Sequence, residues 1–342
     1  MNVSVNDQPL VSVLVVTYNQ EEFISQTIES LLDQDCQFKY EILIGEDCST
    51  DKTREICQSY EKKYPGIVRL FLNDENKGFI KNYFSLFSHV RGKYIADCGG
   101  DDYWIYTEKL RKQVEILENH PDVSLVYGNW QILIEKDNKL RNNLAEITKD
   151  WFDKNNYGKT AVSNYLNYRI MPRVVLSSSC FRKDWLKESM ENHKPLFFGD
   201  GVVCEDLPIS MALLIKGPFY LMKEELMVYR ILENSVSHSQ NREKYVKGFA
   251  WKAFLQTVNL ATTLGLKTNE IKPYLKSVFP EFVLNAFIFG DKKWLNEIRM
   301  SSTELNIVPG IKQKILIFIM KYNFLEVTGR FVYLKFLRKN KK

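Results

Sequence analysis

The first 135 residues alternate between short apolar runs and segments in which apolar residues recur at helical spacing. The runs are rich in β-branched residues and lack polar alternation, which is typical of strands buried on both faces of a sheet. The segments between them carry apolar residues three and four positions apart, which predicts amphipathic helices. Five strands are predicted, at 11–18, 40–47, 68–73, 93–98 and 123–133. Four helices are predicted between them, at 21–34, 49–64, 78–90 and 106–120, with Ser49 as the N-cap of the second.

Repeated strand–helix–strand units of this length predict a Rossmann-like α/β fold, with a doubly wound, mostly parallel sheet. In such sheets ligands bind at the carboxyl ends of the strands. Polar residues follow each of the first four strands, and we expect all four sets to face one crevice. The sets are Thr17, Tyr18 and Asn19; Glu46 and Asp47; Asn73 to Asn76; and Asp101 and Asp102.

The rest of the chain changes character twice. Residues 134–170 are polar and irregular, 171–240 indicate further α/β structure, and the pattern after about 245 is helical and rich in aromatic residues. We therefore predict two regions, an α/β domain over 1–240 and a helical C-terminal region over 241–342.

Composition excludes several classes of protein. With 45% hydrophobic and 26% charged residues the chain is an ordinary globular protein. A net charge of +5 gives no support to a nucleic-acid partner, and we expect none. Six cysteines without metal-binding spacing predict free thiols in a reducing compartment, and thus a cytoplasmic location. We expect neither a signal peptide nor a transmembrane helix.

The segment CGGDDYW, residues 98–104, places Asp101 and Asp102 side by side after an apolar strand. Adjacent carboxylates repel each other when both are ionised, so such a pair usually shares a proton or holds a cation. The chain has neither GxGxxG nor GxxxxGK[ST], so a bound phosphate would need another counter-charge. Carboxylates are the ligands that Mg²⁺ and Mn²⁺ prefer. The alternative is a tight turn with two exposed aspartates.

Two further acidic positions have a functional and a structural interpretation. Asp47 could recognise a nucleobase or ribose, or it could be one of the acids favoured at a helix N-terminus. Glu205 and Asp206 precede an apolar helix. One of them could act as a general base whose pKa is raised by the other, or both could be acids of a first helical turn.

Three segments together carry a resemblance to a known family. They are VSVLVVTYNQEEFISQTIESLLDQ, YEILIGEDCSTDKT and NKGFIKNYFSLFSHVRGKYIADCGGDDYW. Their order and spacing resemble family 2 of the inverting glycosyltransferases, which has the GT-A fold. The resemblance is strong over 10–135, the half that binds the nucleotide sugar, and weaker over 170–240, the acceptor half. It implies a nucleotide-sugar donor, with UDP-sugars favoured, and a hydroxyl acceptor on a glycan or lipid-linked molecule.

The resemblance also implies roles for single residues. Asp206 matches the catalytic base, with Glu205 beside it. Asp102 matches the direct ligand of a divalent metal, Mn²⁺ or Mg²⁺, with Asp101 next to it. Residues 228–238 resemble a loop that closes over the diphosphate. The residues implied to bind the donor nucleotide are Thr17, Tyr18, Asn19, Asp47, Lys77, Asp101 and Arg230.

Two positions depart from the family pattern and put the metal site in doubt. Gly99 stands where many relatives carry an acid, and Leu232 stands where many carry the histidine of a YRxH motif. His238 could replace that histidine as a metal ligand, or it could be an ordinary polar loop residue.

The C-terminal segment 311–342 mixes apolar residues with Lys and Arg, and its last 13 residues contain six basic residues and no acid. It could form an amphipathic helix at the inner face of the cell membrane, where basic residues meet anionic lipid. Alternatively, its apolar face packs on the catalytic domain. Gly329 interrupts the segment, so two short helices are as consistent with the sequence as one.

These observations predict a metal-dependent inverting glycosyltransferase that extends a cell-surface polysaccharide, O-antigen or glycoprotein glycan from the cytoplasmic side. A degenerate member of the fold, which binds nucleotide sugar or partners without turnover, is the alternative of a different class. A sugar nucleotidyltransferase is less well supported, because the first loop, TYNQEEF, contains neither glycine nor a basic residue.

Overall fold

The computed structural model describes residues 8–142, 150–167, 174–199, 201–232 and 241–322, together with residues 327, 329, 330 and 333. The chain divides into two compact units. The first contains Met1–Val162 and Met171–Ser235, and the second contains Ser163–Ile170 and Val236–Lys342.

The elements follow the predicted alternation over the first 135 residues. The strands are β1 (Val11–Thr17), β2 (Tyr40–Glu46), β3 (Val68–Leu72), β4 (Tyr94–Gly99), β5 (Tyr103–Trp104), β6 (Leu125–Ile134), β7 (Lys139–Asn142), β8 (Trp151–Phe152), β9 (Cys180–Arg182) and β10 (Phe219–Ile231). The helices are α1 (Ile24–Leu32), α2 (Thr53–Lys63), α3 (Phe79–Ser85), α4 (Lys109–Asn119), α5 (Gly158–Leu166), α6 (Lys183–Asn192), α7 (Pro195–Phe198), α8 (Asp206–Leu214), α9 (Trp251–Thr263), α10 (Lys272–Phe289), α11 (Lys292–Glu304) and α12 (Ile311–Ile319). Short 3₁₀ turns lie at Leu86–His89, Glu135–Asp137 and Leu176–Ser178, and a π-helical segment at Lys244–Ala250 precedes α9.

The strands form one sheet in the order β3-β2-β1-β4-β9-β6-β10-β5, with β7 beside β6 and β8 beside β10. The pairs β1–β2, β2–β3, β1–β4 and β6–β10 are parallel, which confirms the predicted mostly parallel sheet. The structure adds β9, which lies antiparallel between β4 and β6. A three-residue strand is too short to produce a periodic pattern, so the sequence did not reveal it.

The strands β1, β2 and β4 are buried on both faces, as their continuous apolar composition indicates, whereas β3 at the edge of the sheet is mostly half-buried. All seven residues of β1 are buried, including Ser12. Its hydroxyl donates a 2.6 Å hydrogen bond to Glu41, and Arg69 pairs with the same carboxylate at 2.7 Å. The polar group in the middle of an apolar strand is therefore satisfied, as burial requires. From one face α1 packs Ile24 and Ile28 into this core.

The start of α2 differs from the prediction. The sequence indicated Ser49 as the residue that caps the helix, but α2 begins at Thr53. The Ser49 hydroxyl instead accepts a hydrogen bond from the Asn19 amide at 3.0 Å, and Asp51 accepts one from the Glu21 amide at 3.1 Å. Ser49 and Asp51 thus connect the loop after β2 to the loop after β1, and Asp51 Oδ1 also accepts a 3.0 Å hydrogen bond from the Thr53 amide at the start of α2.

The second unit is helical and has an aromatic core. Trp251 packs against Phe282 with ring centroids 4.9 Å apart, and Trp294 lies edge-on to both rings. The helix α10 ends at Phe289 and is followed by Gly290, whose φ of 69° is in the left-handed region. Asp291 then caps α11 by accepting a hydrogen bond from the Trp294 amide. Among the described residues, no helix combines the length and apolar character needed to cross a membrane.

Candidate active site

The loops after β1 and β2 are joined at the carboxyl edge of the sheet. The Asp47 amide donates to the Thr17 carbonyl oxygen at 3.0 Å, and Asn19 Oδ1 accepts from the Thr50 amide at 2.8 Å. Asn19 and Cys48 adopt left-handed backbone conformations, with φ of 51° and 61°. These turns bring the ends of two neighbouring strands into contact, which is the arrangement predicted for a nucleotide-binding crevice.

The Asp47 carboxylate organises the loop that follows β3. Its Oδ1 accepts hydrogen bonds from Asn73 Nδ2 and from the Lys77 amide, both at 2.9 Å, and its Oδ2 accepts one from the Gly78 amide at 2.8 Å. Asp47 is only 2% exposed. The structural interpretation of Asp47 was an acid of a helix N-terminus, but the side chain bonds to the loop of a neighbouring strand. Its role towards a base stays a prediction.

Two predicted donor-binding side chains lie at the surface of this edge. Tyr18 is 44% exposed, and the exposed Lys77 donates from Nζ to Asn73 Oδ1 at 2.7 Å. Both are therefore accessible to a ligand, in contrast to the buried Asp47 and Thr17 beside them.

The end of β4 lies against the loop after β1. The Gly100 amide donates to the Val16 carbonyl oxygen at 3.2 Å, and the Gln20 side chain contacts both Thr17 and Asp101. A Cβ on Gly100 would lie 2.3 Å from Gln20 Oε1 and 2.8 Å from the Val16 oxygen. Only glycine fits this approach, which brings Asp101 and Asp102 to the same edge as the first three sets of polar residues.

The Asp102 carboxylate is buried and held at both oxygens. It is 3% exposed, Oδ1 accepts from the Arg230 amide at 3.0 Å, and Oδ2 accepts from the Ser177 hydroxyl at 2.8 Å. Burial, and then the neighbouring charge of Asp101, raises the pKa of Asp102 well above its usual range. The alternative of a tight turn with two exposed aspartates is therefore wrong, because the Asp102 carboxylate is enclosed by protein.

Gly99 gives the two carboxylates the space they occupy. A Cβ at this position would lie 3.1 Å from Asp101 Oδ1 and 3.2 Å from Asp102 Oδ2. An acidic side chain at position 99 would therefore require both carboxylates to move. The glycine fits a site in which Asp101 and Asp102 turn back towards the strand end.

Arg230 was predicted to bind the donor phosphates. In the structure its guanidinium lies against the backbone of Asp101. Nε pairs with Glu135 at 2.7 Å, Nη1 donates to the Asp101 carbonyl oxygen at 2.6 Å, and Nη2 donates to Gln26. The residue is 6% exposed. A phosphate role stays a prediction, and it would require some of these bonds to be exchanged. His238 and most of the predicted closing loop lie outside the described residues.

Glu205 and Asp206 lie at the start of α8, and both are partly exposed. Asp206 Oδ1 accepts a 3.2 Å hydrogen bond from the Leu176 amide, in the 3₁₀ turn Leu176–Ser178. We call these three residues the 176–178 turn. Burial, and then the charges of Asp206 and Asp97, raises the pKa of Glu205 well above its usual range. The two acids therefore interact as a close pair.

Asp97, within β4, is an acid that the sequence analysis did not select. It is 5% exposed, and its Oδ2 has no hydrogen-bond partner among the described residues. Tyr83 approaches it from α3, and the charge of Asp206 reaches it from α8. Burial raises the pKa of Asp97 to about 7, with a further increase from Asp206, whereas Tyr83 and Lys109 oppose the shift. The sequence signal that could have identified Asp97 is the presence of an acid inside the apolar run KYIADC.

The acids at the end of β4 fit a divalent cation that takes its remaining ligands from a substrate. Mg²⁺ is usually bound by one or two carboxylates together with phosphate oxygens and water. Asp102 and Asp101 supply two carboxylates, one buried and one partly exposed. No group of three or more His, Cys, Asp or Glu that could hold a metal is found among the described residues. The two carboxylates thus fit a metal site that is completed by substrate and water, and not one formed by protein ligands alone.

Comparison with known proteins agrees with this fold and places the chain in a family. The sequence profile of Glycosyl transferase family 2 matches residues 12–188, which are 177 of the 342 residues. TuaG of Bacillus subtilis, named for teichuronic acid biosynthesis, is 39% identical over 112 residues, 33% of this chain and 43% of TuaG. WfgD of Escherichia coli, named as a UDP-Glc-dependent β-1,3-glucosyltransferase, is 30% identical over 128 residues, 37% of this chain and 48% of WfgD. The chain therefore spans less than half the length of both, and 36% of three mycobacterial relatives.

Among solved structures, S. aureus TarS 1–349 in complex with UDP-GlcNAc is similar in fold. Its TM-score is 0.62 at 16% sequence identity, over 96% of this chain and 92% of that chain. The mostly parallel sheet and this likeness identify the GT-A fold, as predicted. Because the family profile covers more than half of the sequence, the chain belongs to glycosyltransferase family 2.

The elevated pKa of Asp97 gives a prediction for stability. The unfolded chain loses this proton near pH 4, whereas the folded protein keeps it to about pH 7. The stability of the wild type should therefore fall by about 1.4 kcal/mol per pH unit between these values, relative to a variant that cannot titrate. Denaturant unfolding of Asp97→Asn and the wild type from pH 4.5 to 8 should show the Asn variant gaining relative stability up to about pH 7 and then levelling off.

A second uncharged variant, Asp97→Leu, separates titration from packing. It should start from a different stability and show the same relative rise with pH. A difference from the wild type that does not change with pH would contradict the assignment.

Proposed function

We propose that this protein is an inverting glycosyltransferase that moves a sugar from a nucleoside-diphosphate donor to a hydroxyl of a glycan or lipid-linked acceptor. Asp102 and Asp101 hold a divalent metal at the donor diphosphate, and Asp206 is the general base. The single observation that carries this proposal is the 176–178 turn. It bonds to Asp102 through Ser177 and to Asp206 through Leu176, and this shared segment supports the inclusion of both acid pairs in one site.

The proposed chemistry uses the acids from two sides of the reacting carbon. Asp206 removes the proton of the acceptor hydroxyl while the oxygen attacks the anomeric carbon from the face opposite the nucleotide. The bond to the diphosphate oxygen breaks in the same displacement, which inverts the configuration at that carbon. Asp102 and Asp101 would hold a divalent cation, which would supply positive charge to stabilise the leaving diphosphate. Glu205 lies directly beside the proposed base, and burial together with the charge of Asp206 raises the pKa of Glu205.

We propose a UDP-sugar as the donor. WfgD, whose name specifies UDP-Glc, is 30% identical over 128 residues of this chain, and TarS of similar fold is solved with UDP-GlcNAc. The exposed Tyr18 at the end of β1 and the buried Asp47 at the end of β2 support a nucleoside pocket beside the aspartate pair.

Loss of Asp102 should remove metal-dependent nucleotide binding. UDP with MnCl₂ at about 100 times its Kd should stabilise the wild type by about 2.7 kcal/mol, read as a rise in Tm. Asp102→Ala should lose this rise, because a carboxylate ligand is missing. Asp184→Ala is the matched control, since the Asp184 side chain is 81% exposed on α6. A Tm rise in Asp102→Ala equal to that of the wild type would contradict the proposed site.

Replacement of the proposed base should separate binding from transfer. Asp206→Asn keeps the shape of the side chain and cannot accept the proton, so turnover should fall by about 10² to 10⁴. The Tm rise with UDP and MnCl₂ should remain. The measurement is release of nucleoside diphosphate from the donor sugar that a binding screen selects. Turnover within a factor of three of the wild type would contradict the role of Asp206.

The degenerate-protein alternative rests on Gly99 and Leu232. The space that Gly99 provides to both carboxylates accounts for one of these departures without loss of the site. A wild type that binds UDP with metal and releases no nucleoside diphosphate with any donor and acceptor would favour the alternative.

We also propose that the second unit contacts an anionic lipid surface at the inner face of the membrane. On α12 the apolar residues Ile311, Ile315 and Phe318 share one face and are 79%, 52% and 55% exposed. Residues 311–342 contain nine Lys or Arg and one Glu, whereas the whole chain carries only +5. Further along, Tyr333 packs against Phe287 of α10. Part of the tail thus packs within its own unit, while the basic, apolar face of α12 remains exposed.

Polar substitution on this face should weaken lipid binding. The double variant Ile315→Ser, Phe318→Ser should reduce sedimentation with phosphatidylglycerol-containing vesicles roughly tenfold or more, because two large apolar side chains are lost. Met300→Ser, which replaces a 67% exposed residue on α11, is the control. Binding should also fall with salt and be weak on phosphatidylcholine alone. Equal sedimentation of the double variant and the wild type would contradict the contact.

A further inference from the structure

We propose that Ser177 is a positioning residue for the donor–metal carboxylate, and that the 176–178 turn sets the relative placement of Asp102 and Asp206. The inference rests on the proposed function. It assigns a specific task to a serine whose sequence context, LSSSC, gives no sign of one.

The Ser177 hydroxyl is bonded on both sides. It donates to Asp102 Oδ2 at 2.8 Å and accepts from the Gly99 amide at 3.1 Å. The Gly99 amide occupies a lone pair of the Ser177 hydroxyl oxygen. The hydroxyl hydrogen of Ser177 is therefore directed to the Asp102 carboxylate. Ser177 is 7% exposed, so water does not compete freely for these bonds. With the Arg230 amide on Oδ1, the Asp102 carboxyl plane is held from two directions.

Three buried side-chain donors bond to the 176–178 turn and to the residue after it. Trp104 Nε1 donates to the Ser177 carbonyl oxygen at 2.9 Å. Gln113 Nε2 and Lys109 Nζ donate to the next two carbonyl oxygens along the chain, at 2.9 and 3.1 Å. Lys109 and Gln113 are fully buried, and Lys109 Nζ also lies 3.8 Å from the centre of the Trp104 ring. Long polar side chains are rarely buried unless their polar groups are hydrogen-bonded. Here Lys109 and Gln113 donate to the carbonyl oxygens of this segment.

The same turn reaches the other acid pair. One residue before Ser177, the Leu176 amide donates to Asp206 Oδ1 at 3.2 Å. Consecutive residues of one short 3₁₀ turn thus bond to a carboxylate of each pair. Any movement of the turn would shift both carboxylates together, so the spacing between them is set by a single rigid segment.

The test compares binding of UDP with and without MnCl₂ by isothermal titration calorimetry. Groups that orient a metal ligand typically change metal affinity by 10 to 100-fold when they are removed. Ser177→Ala should therefore raise the Kd for MnCl₂-dependent UDP binding by about 10 to 100-fold. The Kd for UDP without metal should change less than threefold, and Ser177→Thr, which keeps the hydroxyl, should recover most of the lost affinity. Ser189→Ala is the matched control, since Ser189 is also 7% exposed and, within the part of the chain that the structure describes, its hydroxyl bonds to the Trp185 carbonyl oxygen on its own helix.

The outcomes separate this inference from the function on which it rests. If the wild type binds UDP with MnCl₂ and Ser177→Ala binds equally well, the inference is wrong and the proposed function stands. If Ser177→Ala loses metal-free and metal-dependent binding to the same degree, or Thr fails to restore the difference, Ser177 is structural only and the inference is again wrong. A wild type without any metal-dependent binding overturns both.

Discussion

The placement of two adjacent carboxylates at the end of a buried strand is the constraint on which the rest of the site depends. Asp101 and Asp102 repel each other, and one of them is almost fully removed from water. Several protein groups offset the free-energy cost of burying Asp102 beside Asp101. The Arg230 guanidinium lies against the Asp101 carbonyl oxygen, the Arg230 amide and the Ser177 hydroxyl bond to the Asp102 carboxylate, and Gly99 leaves the space that both side chains need. This is an arrangement that a bound cation would stabilise further.

A second region of concentrated negative charge lies around Glu205, Asp206 and the buried Asp97. Burial and mutual repulsion favour retention of protons in this group, which suits a carboxylate that must accept a proton near neutral pH. The two acidic regions are connected through consecutive residues of the 176–178 turn. In the proposed function the two pairs have distinct tasks, one towards the donor and one towards the acceptor.

Much of this could be predicted from sequence because the signals are local. Continuous β-branched runs marked the buried strands, and polar residues after each run marked the edge of the sheet where a ligand would bind. The strand β9 could not be predicted, because three residues carry no period. The partners of Arg230 could not be predicted either, since Glu135 and Gln26 are 95 and 204 residues away along the chain. Ser177 and Asp97 gain their significance only from tertiary contacts, and the helix cap expected at Ser49 was wrong because that hydroxyl bonds to Asn19.

The central claim is that the strand ends form a donor site in which Asp102 is a direct metal ligand. The most direct measurement is a crystal structure of the protein grown with UDP and MnCl₂, with an anomalous difference map collected at the manganese edge. The account predicts one strong peak within bonding distance of an Asp102 carboxylate oxygen and of the diphosphate, with the uracil ring beside Tyr18 and Asp47. A peak bound elsewhere, or UDP bound away from the ends of β1, β2 and β4, would contradict it.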